Sequence, residues 1–87
     1  MATIILSHDV KDFTAWKTHY DADSARRISA GFRELAVGTA SDNPNKVYMI
    51  WEGDAGAIDP MLQDPELKEK MQLAGVVSAL EVIIVNS

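Results

Sequence analysis

His8 and His19 carry the imidazoles of this chain, the side chains whose unperturbed pKa lies near neutrality, so a general base is sought first at these two positions. His8 follows a short apolar run and precedes Asp9, a carboxylate able to orient the ring. It reads equally as a polar residue closing a strand into a loop. Asp23 follows His19 by four residues and Arg27 follows Asp23 by four, a spacing that brings all three onto one helix surface. With Trp16 and Tyr20 interleaved, that surface forms a polar and aromatic lining for a planar, oxygen-rich molecule, with Arg27 neutralising an enolate or carboxylate. The same spacing also describes a solvated salt-bridge face beside a core stripe. Tyr48, Met49 and Trp51 add surface for an aromatic ligand or, alternatively, for a core and dimer interface. Glu52 and Glu81 stand at expected strand ends and would serve as bases if buried; exposed carboxylates are the commoner case.

Other chemistries find little support. A metal needs three or four converging ligands, and two histidines separated by ten intervening residues, with no cysteine in the chain, do not supply them. The five glycines never take dinucleotide or phosphate-loop spacing, and no G-x-S-x-G elbow is present. No flavin or nicotinamide site is visible, so neither a metal nor a cofactor is expected.

These residues must be positioned by a small set of elements. Thr3-Ile4-Ile5-Leu6 is apolar and closed by Ser7-His8-Asp9, which predicts a buried strand over residues 2–8. Phe13, Trp16 and Tyr20 recur at helical spacing between the N-cap Asp12 and the stop Gly31, predicting one amphipathic helix over 13–30 with Lys17, Asp21 and Arg26 on its wet face. A weaker, more polar strand runs from Phe32 to Thr39. The turn formers Ser41-Asp42-Asn43-Pro44-Asn45 then make a hairpin into Val47-Tyr48-Met49-Ile50-Trp51, which shows no alternation and so implies two dry faces. A short helical stretch reaches Ile58, is interrupted at Asp59-Pro60 and continues weakly through Met61-Leu62. Asp64-Pro65-Glu66 supplies an N-cap, a first-turn proline and an acid at the positive helix end, starting a helix that stops at Gly75. Val82-Ile83-Ile84-Val85 is a final strand, apolar on both faces.

The order βαββαβ is the ferredoxin-like arrangement: an α+β fold with an antiparallel sheet and helices on one face. Right-handed crossovers put strands one and three at the centre and strands two and four at the edges. The 87 residues suffice for a single domain spanning 1–87, and a core this small commonly needs a staple. Two helices cover one sheet face only, whereas strands three and four show no wet face. The cheapest cover is a second copy, so a homodimer closing through the sheet faces is expected. A net charge of −5 disfavours phosphate backbones and anionic lipid, so no nucleic-acid or membrane partner is expected. The short opening apolar run lacks the features of a signal peptide, and no run approaches a membrane span, which makes the cytoplasm the expected location.

The chain resembles the dimeric α+β barrel superfamily, in particular the small proteins related to antibiotic-biosynthesis monooxygenases and polyketide cyclases. The residues carrying the resemblance are Val10-Lys11-Asp12-Phe13-Thr14-Ala15-Trp16-Lys17, the stretch from Asp21 to Gly31, and Asp42-Asn43-Pro44-Asn45. Trp51-Glu52-Gly53-Asp54, Asp64-Pro65-Glu66-Leu67, Met71 and Ala74-Gly75-Val76 complete it. The resemblance implies a homodimer with a cavity in each subunit, and relatives that include cofactor-free oxygenases, cyclases, haem-degrading enzymes and members without assigned activity. It leads to a cofactor-independent monooxygenase or cyclase acting on an aromatic or polyketide-like molecule, with His8 or His19 as base and Arg27 beside negative charge. Trp16, Tyr20, Asp23, Tyr48 and Trp51 would contact the ligand, although Asp23 stands where some relatives carry histidine. The competing expectations are a non-catalytic, ligand-binding or stress-related dimer and a purely structural module with a packed interior.

Overall fold

The computed structural model describes residues 1–86. Its strands are β1 (Ala2–Asp9), β2 (Arg33–Ala40), β3 (Asn43–Gly53) and β4 (Glu81–Asn86), and its helices α1 (Phe13–Ala22), α2 (Ser24–Ser29), α3 (Ile58–Gln63) and α4 (Pro65–Leu73). The strands form one antiparallel sheet in the order β2-β3-β1-β4, so the two central strands are the expected ones. This is the ferredoxin-like α+β arrangement.

The caps act where the sequence places them. Asp12 accepts the Ala15 N–H at 2.8 Å to open α1, and Asp64 accepts the Glu66 N–H at 2.9 Å, with Pro65 beginning α4. Gly31 and Gly75 have φ of 85° and 86°, the left-handed conformation that lets α2 and α4 end sharply. In both, the following amide reaches back to close the last turn, Phe32 to the Arg27 carbonyl at 3.0 Å and Val76 to that of Met71 at 3.1 Å.

Two local expectations are corrected. The helix over 13–30 is divided at Asp23, whose backbone leaves helical geometry at φ −97° and ψ 15°. The Asp23 carboxylate makes no cap to the helix that follows; Arg26 and Lys70 donate to it instead, in keeping with the tendency of Asp to favour helix ends over helix interiors. Asp59-Pro60 does not interrupt the second helical region: Pro60 lies in the first turn of α3, where its missing N–H costs no helical bond.

The buried core lies between the sheet and its helices. Ile4, Leu6 and His8 of β1 and Val47, Met49 and Trp51 of β3 face inward, against Trp16 and Tyr20 of α1 and Ile58 and Met61 of α3. The opposite face of the sheet is uncovered in the single chain. There Ala36, Ile50, Ile5 and Ile83 align across all four strands, with Tyr48 beside this row. Ion pairs of Arg33 with Glu52 and of Lys46 with Asp9 and Glu81 edge the same face. Within one chain β3 is therefore dry on one side only, as its alternation shows, and β4 is exposed on both, Ile83 at 59% and Ile84 at 42%.

Candidate functional site

A half-open cleft with room of about 70 Å³ lies between the inner sheet face and the helices. Leu6, Met49 and Trp51 form its floor, because alternate residues of the two central strands point to the helix side. Trp16 and Tyr20 line it from α1, one helical turn apart. Met61, Leu62, Leu67 and Met71 close it from α3 and α4, and His19, Asp23, Arg26, Arg27 and Lys70 bring charge and polarity.

His8 is 2% exposed and lines the cleft from the end of β1. Its ring meets Trp16 edge to face, with centroids 5.4 Å apart. Nδ1 is buried and has no hydrogen-bond partner among the described residues. Burial pushes the imidazole below its usual pKa, against the smaller opposing pull of the neighbouring Asp9 carboxylate. Asp9 does not orient the ring: strand alternation sends it to the other face, toward Lys46.

Beyond Trp16 the array continues. Trp16 stacks on Tyr20 with centroids 4.8 Å apart, and the Arg27 guanidinium carbon lies 3.6 Å over the Tyr20 ring. The Trp51 Nε1–H donates to the Tyr20 hydroxyl at 2.9 Å, and that hydroxyl donates to Glu34 Oε1 at 2.9 Å. Burial, followed by the hydrogen bond to Glu34, pushes the Tyr20 phenol well above its usual pKa, which makes it a hydrogen-bonding group and not a ready acid.

The charged part of the lining is knitted together. Arg26 pairs with Asp23 at 3.0 Å, with Asp64, and with Glu66 at 3.1 Å, while Lys70 pairs with Asp23 at 3.0 Å and Glu66 at 3.4 Å. Burial opposes the charge on Asp23, but hydrogen bonds from Lys70 and Arg26 outweigh it and hold the carboxyl below the usual range.

Of the residues singled out in the sequence, His8, Trp16, His19, Tyr20, Asp23, Arg27 and Trp51 therefore share one cleft. Tyr48 does not join them; it lies 40% exposed on the open sheet face, paired with Ser7. Glu52 and Glu81 lie on that face too, bound to Arg33 and to Ser7 and Lys46. Arg26, expected on the wet face, is half-buried and part of the cleft. Its i, i+3 spacing from Asp23 was the available signal, whereas Lys70 arrives from a distant helix and leaves no local trace. No three His, Asp or Glu side chains converge as a metal set among the described residues. No helix among them is long and apolar enough to cross a membrane.

Sheet, helices and cleft define a small α+β protein with the ferredoxin-like fold. The chain belongs to the family described as Domain of unknown function (DUF3764), whose model matches residues 1–85. Among solved structures it is similar to a conserved protein from Methanosarcina mazei Go1, with 18% identity and a TM-score of 0.71 over 98% of this chain and 90% of that one. An uncharacterized NIPSNAP domain protein from Burkholderia xenovorans is similar at 14% identity and a TM-score of 0.67, over 100% and 94% of the two chains. An antibiotic biosynthesis monooxygenase is similar at 16% identity and a TM-score of 0.67, over 100% and 98%. No curated protein matches the chain.

Proposed function

We propose that the chain binds a small, ring-bearing molecule in the cleft and, without a cofactor, oxygenates or cyclises it through its enolate. The observation that carries this reading is the convergence on one cleft of a buried imidazole, the aromatic side chains Trp16, Tyr20 and Trp51, and several cations. Burial favours the neutral form of His8, the form able to take a proton, which makes it the preferred base; the exposed His19 is the alternative. In the oxygenation, an activated CH₂ loses one proton to the imidazole and its enolate is oxidised by dioxygen as co-substrate. One oxygen atom becomes the carbonyl oxygen and the other leaves in water. In the cyclisation, the same enolate attacks a carbonyl of its own molecule. Catalysis would come from holding the reacting groups together. The room in the cleft, about 70 Å³ against roughly 300–1,000 Å³ for drug-sized pockets, favours a single ring whose substituents pass through the open side. The name of the monooxygenase neighbour agrees with this chemistry.

The working unit in this reading is a homodimer closed through the open sheet face. Covering the row formed by Ile50, Ile5 and Ile83 would recover roughly 1.5–3 kcal/mol for each side chain that passes from full exposure to full burial. Nucleic acid and membrane have no part in it.

A second reading, non-catalytic binding in a ligand-carrying or stress-related dimer, is favoured by the unpartnered Nδ1 of His8, since a working histidine base is usually oriented through its second nitrogen. Mass spectrometry of small molecules co-purifying with the native protein identifies the ligand class. Turnover of an enolisable aromatic ligand under dioxygen then separates the two readings. The catalytic one expects the double substitution His8→Gln and His19→Gln to abolish turnover; undiminished turnover leaves that reading without a base.

A further inference from the structure

Arg26, Arg27 and Lys70 all line the cleft, but their charges are not equally committed. Arg26 takes three carboxylates and Lys70 takes two. Arg27 makes no ion pair among the described residues; its half-buried guanidinium lies against the Tyr20 ring and keeps its N–H fork unspent. A partly desolvated cation without a counter-ion is an incomplete site; a planar fork of N–H donors pairs bidentately with carboxylates and phosphates, and of the two the flat, singly charged carboxylate suits a small cleft with an aromatic lining.

The position of Arg27 decides between a charge formed during reaction and one the ligand already carries. Trp16 covers one face of the Tyr20 ring and Arg27 lies over the ring as well, so sterics put Arg27 on the other face. His8 lies beyond Trp16 in turn. Two aromatic side chains thus stand between the buried imidazole and the guanidinium. A charge created next to His8 is therefore set apart from Arg27 by both rings, whereas a permanent charge at the other end of a ligand can meet it.

We infer that the ligand is a small aromatic carboxylate and that Arg27 selects it by pairing with its permanent anionic group at the mouth of the cleft. The inference rests on the reading of the cleft as a small-molecule site and names the chemical class that site admits. Arg27 is in this account a specificity residue, distinct from the base.

The test titrates the full chain with benzoate and, separately, with benzamide, its neutral counterpart of like shape, following the fluorescence of Trp16 and Trp51. Benzoate is expected to bind saturably and at least about tenfold more tightly than benzamide, the discrimination of one charge-assisted pair. Arg27→Gln is expected to lower benzoate affinity to the benzamide level, and Arg27→Lys to restore part of it. Lys68→Gln, which removes an exposed cation outside the cleft, is expected to change neither. Equal affinity for the two probes in the unaltered protein overturns the inference even if the variants fail to fold. Benzamide binding alone overturns it while leaving the cleft a binding site. Binding of neither probe overturns the inference and counts against the small-ring reading as well.

Discussion

The indole N–H of Trp51 donates to the Tyr20 hydroxyl at 2.9 Å, joining the middle of the sheet to α1 across 31 positions of sequence. Tyr20 passes its own proton outward to Glu34, so the buried donor of Trp51 and the buried phenol are satisfied in a single chain of bonds. Both rings also line the cleft, which makes this bond the fixed point from which the aromatic lining is built.

Tyr20→Phe keeps the ring stack and removes the acceptor, leaving the Trp51 N–H buried and unpaired. A loss of about 1–3 kcal/mol is expected, read as a lower urea midpoint with unchanged slope. Glu34→Gln retains an acceptor at the exposed end of the chain and is expected to cost less than about 1 kcal/mol. Equal losses for the two variants would show that the Trp51 bond has no special weight.

The path from sequence to these contacts is uneven. Strand order follows from the βαββαβ pattern, and Asp12, Asp64, Gly31 and Gly75 mark helix ends by local chemistry. The i, i+4 spacing of His19, Asp23 and Arg27, with Trp16 and Tyr20 beside it, likewise places five residues on one lining before any tertiary contact is known. The break at Asp23 is not legible, because no glycine or proline marks it and one of the two partners of its carboxylate, Lys70, lies 47 positions away. The face on which Tyr48 lies is not legible for another reason: a run of five apolar residues hides the two-residue alternation that sends Tyr48 and Trp51 to opposite faces. The unequal commitment of Arg26 and Arg27 is in large part a tertiary fact: Asp23 meets Arg26 locally, but Asp64 and Glu66 reach it from the start of α4.

The acid limb of stability should report on Asp23. Its folded pKa lies below its unfolded value, so its stabilising contribution is present above the unfolded pKa and is lost as pH falls through the folded one. Asp23→Asn is expected to destabilise the protein near neutrality by about 1–3 kcal/mol, because Lys70 and Arg26 lose a shared charged partner. The same variant should show a shallower decline of stability below pH ~4, near the unperturbed carboxyl pKa. Chemical denaturation at stepped pH measures both, and an unchanged acid slope would remove Asp23 from the list of acid-sensitive groups.

His8 gives a second window at higher pH. Its folded pKa is depressed by burial, so the neutral ring stabilises the fold fully above the unfolded value of ~6.5 and that contribution fades as pH falls through the folded value. The unaltered protein should therefore lose stability on acidification from neutrality, before the carboxylates titrate. His8→Gln is expected to flatten that segment. Nuclear magnetic resonance of the imidazole protons supplies the direct check, and a His8 pKa at or above the ordinary histidine value is incompatible with this account.

The open sheet face makes the remaining prediction. Ile5 is paired with Ile50 on one side and Ile83 on the other, and in the single chain this row faces no helix. β4 is also an edge strand, and edges as apolar as Val82-Ile83-Ile84-Val85 invite pairing or aggregation unless covered. Closing two such faces would bury both rows while the surrounding Arg33, Glu52, Lys46 and Glu81 stay at a polar margin, the usual anatomy of an interface. Light scattering is expected to give twice the mass of one chain at micromolar concentration. Ile83→Lys, a change at a side chain already 59% exposed, should leave the single-chain fold intact and shift the population toward monomer. If the unaltered protein runs as a stable monomer, or if the Ile83→Lys variant stays a dimer, the face is not the contact and the exposed row needs another explanation.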